Sequence, residues 1–144
     1  MSSVPTSFAE WQTYPLTLDP IHVAWLKQAK QAKTAFAVAD IEGIEISHKR
    51  FLTGVLLFAK KIKIYSPEQN VGLLLPSSGG GAIASMAILS LGKTLVNLNF
   101  TAGKKALQSA VEQAEVKHIY TSRKFIDKMY EKGDDLSSFF PDTE

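Results

Sequence analysis

The spacing of hydrophobic and polar positions switches between two periods along the chain, and the switches predict most of its elements. Val71-Gly-Leu-Leu-Leu-Pro76 is a short, unbroken apolar run stopped by a proline, the pattern of a strand covered on both faces. Ser77-Ser78-Gly79-Gly80-Gly81 then turns the chain into an apolar, small-residue helix that reaches Leu89, with Ser77 or Ser78 placed to cap it. The same pattern recurs downstream. Gly92 predicts a left-handed exit from that helix, and residues 94–99 a strand. Thr101-Ala-Gly103 predicts a turn into a helix reaching about Gln113, with Leu107, Ala110, Val111 and Ala114 on one face. Residues 116–120 predict a further strand, and Thr121-Ser122 the cap of a helix over residues 123–131 that Gly133 closes.

Upstream of the central run the signals are shorter. Ser7 caps a brief helix through Glu10 and Trp11 that Pro15 closes. Asp19-Pro20 opens a longer one, with Asp at the N-cap and Ile21, Trp25 and either Ala29 or Ala32 on its inward face. Lys27, Lys30 and Lys33 suit its C-terminal end. Residues 34–39 and 43–46 form an antiparallel hairpin turned by residues 40–43, expected to add an edge to the sheet. Ser47 caps a helix from His48 to about Ile62, on which Phe51, Leu52, Val55, Leu56, Phe58 and Ala59 make a broad apolar stripe.

Strands alternating with helices give the α/β class: a three-layer arrangement, with a mostly parallel sheet, helices on both faces and an antiparallel N-terminal hairpin. The expected division is a helical segment over residues 1–33, an α/β subdomain over 34–132, and an acidic tail or start of a linker over 133–144.

Composition narrows the function classes. The chain has 144 residues, 45% of them hydrophobic, enough for one core. A net charge of +2 is too small to point to nucleic acid. The lysine clusters at Lys60-Lys61-Lys63 and Lys104-Lys105 are expected on solvated helix faces and ends. The absence of cysteine excludes disulfides and thiol chemistry. No apolar run has the length of a membrane span. The first residues, Met1-Ser-Ser-Val-Pro-Thr-Ser7, lack the basic and apolar regions of a signal peptide. A cytoplasmic setting is the expectation.

Ligands of open parallel sheets lie at the carboxyl ends of the strands. Here that edge comprises residues 76–81, 97–103 and 120–123. The glycine turn offers backbone N–H groups at a helix start, which attract anions, so Ser77, Ser78, Gly79 and Gly80 are candidate phosphate contacts. Against this, no Gly-Lys-Ser/Thr ending follows Gly81, the glycines are contiguous rather than spaced, and residues 96–100 supply no ribose-binding acid. Asn97 and Asn99 share one sheet face and suit either a cleft or the turn that follows. Ser122 and Arg123 suit either an anion or simple capping. His22, His48 and His118 have no second ligand at metal spacing, so no metal site is expected. No catalytic constellation is visible, and no catalytic residue is assigned.

Val71-Gly-Leu-Leu-Leu-Pro76, the small-residue helix after it, Val96-Asn-Leu-Asn-Phe-Thr-Ala-Gly103 and Ala114-Glu-Val-Lys-His-Ile-Tyr-Thr-Ser-Arg-Lys-Phe125 form an ordered series. The series resembles the N-terminal subdomain of adenylate-forming (AMP-binding) acyl-CoA synthetases. The Asn-Phe-Thr-Ala-Gly and Thr-Ser-Arg-Lys-Phe segments narrow the likeness to the ligase half of bifunctional acyl-acyl-carrier-protein synthetases, also called acylglycerophosphoethanolamine acyltransferases. The resemblance implies a fatty acyl ligase that uses ATP and Mg²⁺ to form an acyl-adenylate. The acyl group then passes to a thiol of CoA or acyl carrier protein. It also implies that the family's Ser/Thr/Gly loop ending in Pro-Lys, its Tyr-Gly-x-Thr-Glu motif, its ribose-binding Asp and its lid Lys lie outside this sequence. On that basis the isolated chain binds no cofactor and is not catalytic. Its partner is the rest of a ligase chain, and it is expected to expose apolar faces through which it could dimerise. Membrane association of the full-length enzyme is left open. Two other classes stand beside this one: a non-catalytic α/β interaction module, and a small nucleotide-binding protein using residues 77–81.

Overall fold

The computed structural model describes residues 19–32, 34–40 and 43–133. The expected helix after Ser7, Lys33 and the acidic tail after Gly133 lie outside the described residues. In chain order the elements are α1 (Ile21–Gln31), β1 (Phe36–Ala39), β2 (Glu45–Ser47), α2 (His48–Tyr65), β3 (Asn70–Leu73), α3 (Gly79–Ser90), β4 (Thr94–Asn97), a 3₁₀ turn (Phe100–Ala102), α4 (Lys104–Gln113), β5 (Ile119–Tyr120) and α5 (Arg123–Glu131).

The class is α/β as the sequence predicts. A three-stranded parallel sheet has the order β4-β3-β5. The central strand β3 is buried on both faces, which is why its sequence carries no polar alternation. Phe51, Val55, Ala59 and Ile62 of α2 pack with Val71 and Leu73 of β3 and with Ala84, Ala87 and Ile88 of α3 in one core. Leu74, Leu98, Leu107, Phe125 and Met129 form a second core beneath α4 and α5. The hairpin β1–β2 is antiparallel, but it makes its own two-stranded sheet rather than an edge of the parallel one.

The caps follow the local chemistry. Ser47, Ser78 and Ser122 accept hydrogen bonds from the backbone N–H groups of Arg50, Gly81 and Phe125 at the starts of α2, α3 and α5. Gly92 and Gly133 adopt the left-handed conformation past the ends of α3 and α5. At α1 the cap differs from expectation: Pro20 holds the N-cap position with no side-chain cap bond, and Asp19 pairs with Lys27 one face away. The inward face of α1 runs through His22, Trp25 and Ala29, so Ile21 is exposed. Trp25 packs edge-on against Phe51 at 5.1 Å and donates its indole N–H to His48 Nδ1 at 3.1 Å. On α2 the buried stripe is Phe51, Val55, Ala59 and Ile62. Leu56 of the expected stripe instead faces solvent. The helix also runs one turn past its expected end, to Tyr65. Ala110, expected on the inward face of α4, is exposed, while Leu107 alone of that face is fully buried. Among the described residues no helix is long and apolar enough to cross a membrane.

One polar contact ties α2 to the sheet. The Ser66 hydroxyl, fully buried at the C-cap of α2, shares a 2.8 Å hydrogen bond with the Tyr120 hydroxyl of β5. Burial pushes the Tyr120 phenol above its ordinary value; the Ser66 hydrogen bond opposes this, and Glu68 and Tyr65 add to it. Folding therefore favours the neutral phenol. That contribution is complete below the ordinary phenol pKa of about 10 and fades as the pH climbs through the folded-state value. Tyr120→Phe strands a buried hydroxyl and should cost about 1–2 kcal/mol in urea unfolding near neutral pH. The Ser66→Ala/Tyr120→Phe double variant should cost less than the sum of the singles. Wild-type stability should fall more steeply than that of Tyr120→Phe above about pH 10.

Candidate functional site

Two clefts among the described residues open along the carboxyl edge of the parallel sheet, where α/β sheets place their ligands. Three exits meet there: β3 leaves through Leu74, Leu75 and Pro76, β4 ends at Asn97, and β5 passes into Thr121. Thr121 donates its hydroxyl to the Leu74 carbonyl at 2.8 Å, which fixes the β5 exit against the β3 exit.

The glycine turn is held from two sides. Ser78 Oγ accepts the Gly81 N–H at 3.1 Å and donates to the Pro76 carbonyl at 3.2 Å. Asp40, from the hairpin turn, accepts the Gly79 N–H on Oδ2 at 3.2 Å and the Ile44 N–H on Oδ1 at 3.0 Å. The start of α3 thus already carries a carboxylate where the helix dipole favours negative charge. Two of the donors that a phosphate would need there are engaged by the chain itself.

The glycines have a steric purpose. A Cβ on Gly79 would lie 2.7 Å from Ile46 Cδ1 of the hairpin, and one on Gly81 would lie 2.9 Å from the Pro76 carbonyl oxygen. Gly80 is different: its nearest neighbour would be Ser78 Oγ at 3.9 Å. The run of three glycines is therefore two close approaches with one tolerant position between them.

The first cleft, about 650 Å³, is lined by Asp40, Ser77, Ser78, Ser85 and Asn97 among apolar residues of β1 and β3. The second, about 510 Å³, has an apolar wall of Ile44, Phe58, Leu75, Ile83 and Phe125 and a polar rim of Ser122, Lys124 and Lys128. Ser77 and Ser78 border both, and Gly80 borders the second. Of the other residues singled out in the sequence, Asn97 joins the first cleft and Ser122 the second. Asn99 turns away: its Oδ1 accepts from the Thr101 N–H at 3.0 Å and the Thr101 hydroxyl at 2.8 Å, stabilising the 3₁₀ turn. Arg123 is exposed and lines neither cleft. His118 lies at the opposite, amino edge, 2.7 Å from Glu68.

Asp40 is the residue that sequence reasoning misses, because the local pattern marks it only as a turn former. Its contact with Gly79 spans 39 positions, and no local pattern encodes it. Lys124 and Lys128 were missed too, although their i, i+4 spacing after the Ser122 cap puts them on one helix face.

No family model matches the sequence. Among solved structures the chain is similar to the Klebsiella oxytoca NpsA N-terminal subdomain in complex with 3-hydroxyanthranilyl-AMSN, with a TM-score of 0.65 and 14% identity over 76% of this chain and 31% of that one. It is similar to the anthranilate CoA ligase AuaEII in complex with anthranoyl-AMP, with a TM-score of 0.66 and 15% identity over 87% of this chain and 24% of that one. It is also similar to the N-terminal domain of FACL13 from Mycobacterium tuberculosis in an inhibitor-bound form, with a TM-score of 0.65 and 15% identity over 84% and 32%. The fold is that of a ligase N-terminal subdomain. The chain spans between 24% and 32% of the length of these three proteins. In this ligase-type fold the two clefts and the glycine turn occupy the carboxyl edge, while the His118–Glu68 hydrogen bond lies at the far edge.

The glycine turn gives a direct substitution test. Gly81→Ala should destabilise by about 1–3 kcal/mol, since backbone must move to relieve the contact. Gly80→Ala should be neutral or stabilising by up to about 1 kcal/mol, because Ala is the better helix former. Urea unfolding midpoints of the two variants would distinguish a packing turn from one without steric demand. Asp40→Ala should cost about 1–2 kcal/mol through loss of the helix-start acceptor.

Proposed function

We propose that the chain is the N-terminal portion of an ATP-dependent fatty acyl ligase, which forms an acyl-adenylate and passes the acyl group to a thiol of CoA or acyl carrier protein. The observation that carries the proposal is the β4-β3-β5 parallel sheet with an apolar cleft at its carboxyl edge, in a fold of the ligase N-terminal type. The likeness of the residue series ending at Phe125 to acyl-acyl-carrier-protein synthetases supports the acyl specificity.

In this proposal the chain supplies a wall and a support. The apolar side of the second cleft, from Ile44, Phe58 and Ile83, suits a hydrocarbon, and Lys124 and Lys128 at its rim suit the charged end of an acid. Asn97 and Ser77 face the first cleft from the ends of β4 and the β3 exit. The residues present do not fit a triphosphate or its Mg²⁺. Asp40 places negative charge at the start of α3, and no group of three metal-ligating side chains occurs among the described residues. ATP and Mg²⁺ would accordingly be held by the rest of the ligase, as would the acceptor thiol.

The purified chain should give no ATP–pyrophosphate exchange with any fatty acid, and exchange above background would overturn the assignment of the adenylation machinery elsewhere. The reading frame beyond Glu144 should encode a Ser/Thr/Gly loop ending in Pro-Lys. A frame that lacks it would remove the ligase proposal itself.

A further inference from the structure

The outer face of α2 belongs neither to the core nor to the clefts, apart from Phe58. It exposes Leu56, Leu57, Ile64 and Tyr65, with relative accessibilities of 61%, 66%, 63% and 60%. An ordinary surface helix keeps that side polar. Leu57 and Ile64 are two helical turns apart and lie on one stripe. Lys60 and Lys61 fall between them at i+3 and i+4 from Leu57, one on each flank. Leu56 and Lys63, also two turns apart, extend the same face on the Lys60 side.

The charge on this helix has one sign. Its 18 residues include Lys49, Arg50, Lys60, Lys61 and Lys63 and not one Asp or Glu. None of these five cations is in an ion pair among the described residues. A row of exposed leucine and isoleucine side chains bordered on both sides by long cationic ones is the arrangement that lies in a bilayer interface. The apolar groups enter the acyl boundary, and the lysine stems extend outward to anionic headgroups.

We propose that the outer face of α2 docks on an anionic lipid surface, with Leu57 and Ile64 inserted and Lys60 and Lys61 against the headgroups. The attachment is peripheral, consistent with a helix whose opposite face, through Phe51, Val55, Ala59 and Ile62, remains in the core. The one-sign charge of the helix favours an anionic lipid surface over a protein groove, which would have to match its cations as well as bury the apolar row. The inference rests on α2 alone, and burial of this face against the remainder of a ligase would overturn it.

The test is flotation of the full 144-residue chain with phosphatidylcholine vesicles, with and without about a third phosphatidylglycerol. Wild type should float with the anionic vesicles and not with the neutral ones. Lys60→Glu/Lys61→Glu and, separately, Leu57→Ser/Ile64→Ser should each reduce the bound fraction about tenfold or more. Tyr130→Ser, at an exposed aromatic on α5, should leave it unchanged. All four substituted side chains of the α2 variants are exposed, so circular dichroism should report wild-type folding for each. Failure of wild type to float, equal binding to neutral vesicles, or binding insensitive to both α2 variants would overturn the proposal. So would light scattering that shows this face buried in a dimer which the same variants dissociate.

Discussion

The hydrogen bond from the Gly79 amide to the Asp40 carboxylate ties the hairpin to the start of α3, and the hairpin shares no ladder with the parallel sheet. The hairpin has no backbone pairing with β3, β4 or β5, so its position over the carboxyl edge depends on side chains. Asp40 supplies a polar link, and Ala37, Val38 and Ile46, the last seated against Gly79, supply apolar ones. The same carboxylate closes the hairpin turn through the Ile44 amide. One residue thereby shapes the turn it belongs to, satisfies a helix start in a different layer and contributes to the walls of both clefts. Its energy, about 1–2 kcal/mol, adds to the packing of Ala37, Val38 and Ile46 of the hairpin on the first core.

The two helical layers divide the work. Beneath the sheet, α4 and α5 bury Leu107, Phe125 and Met129 and bring Ser122, Lys124 and Lys128 to the cleft rim. Above it, α2 and α3 bury a continuous apolar seam against β3. Helix α2 carries apolar side chains on more of its circumference than the core can use. The surplus, together with five cations, gives the helix a second surface of its own.

Much of this architecture was legible in the chain because the signals are local. The Ser47, Ser78 and Ser122 caps, the glycine stops at 92 and 133 and the unbroken Val71–Leu74 run depend on neighbours a few residues away, and each lies where the sequence predicts it. Failures occur where the outcome depends on distant residues. Leu56 matches the helical period of α2 as well as Val55 does, and only the placement of α3 and β3 decides which is buried. The hairpin reads as a sheet edge because alternation reveals a strand but not its partner. At the site, Ser77, Ser78, Asn97 and Ser122 could be placed on the carboxyl edge from strand ends alone. Asn99 could not be separated from Asn97 until the 3₁₀ turn claimed its side chain, and Asp40 was invisible because its partner is remote. The glycines were legible as residues but ambiguous in purpose, since a phosphate cradle and a close backbone approach call for the same amino acid.

The central claim is that the turn after β3 is a packing device, its Gly79 and Gly81 N–H groups already taken by Asp40 and Ser78. Titration of the protein with ATP, followed through the backbone amide resonances of Gly79, Gly80 and Gly81, tests this most directly. These resonances should stay unmoved at millimolar nucleotide. A saturable shift centred on the three glycines would contradict the account.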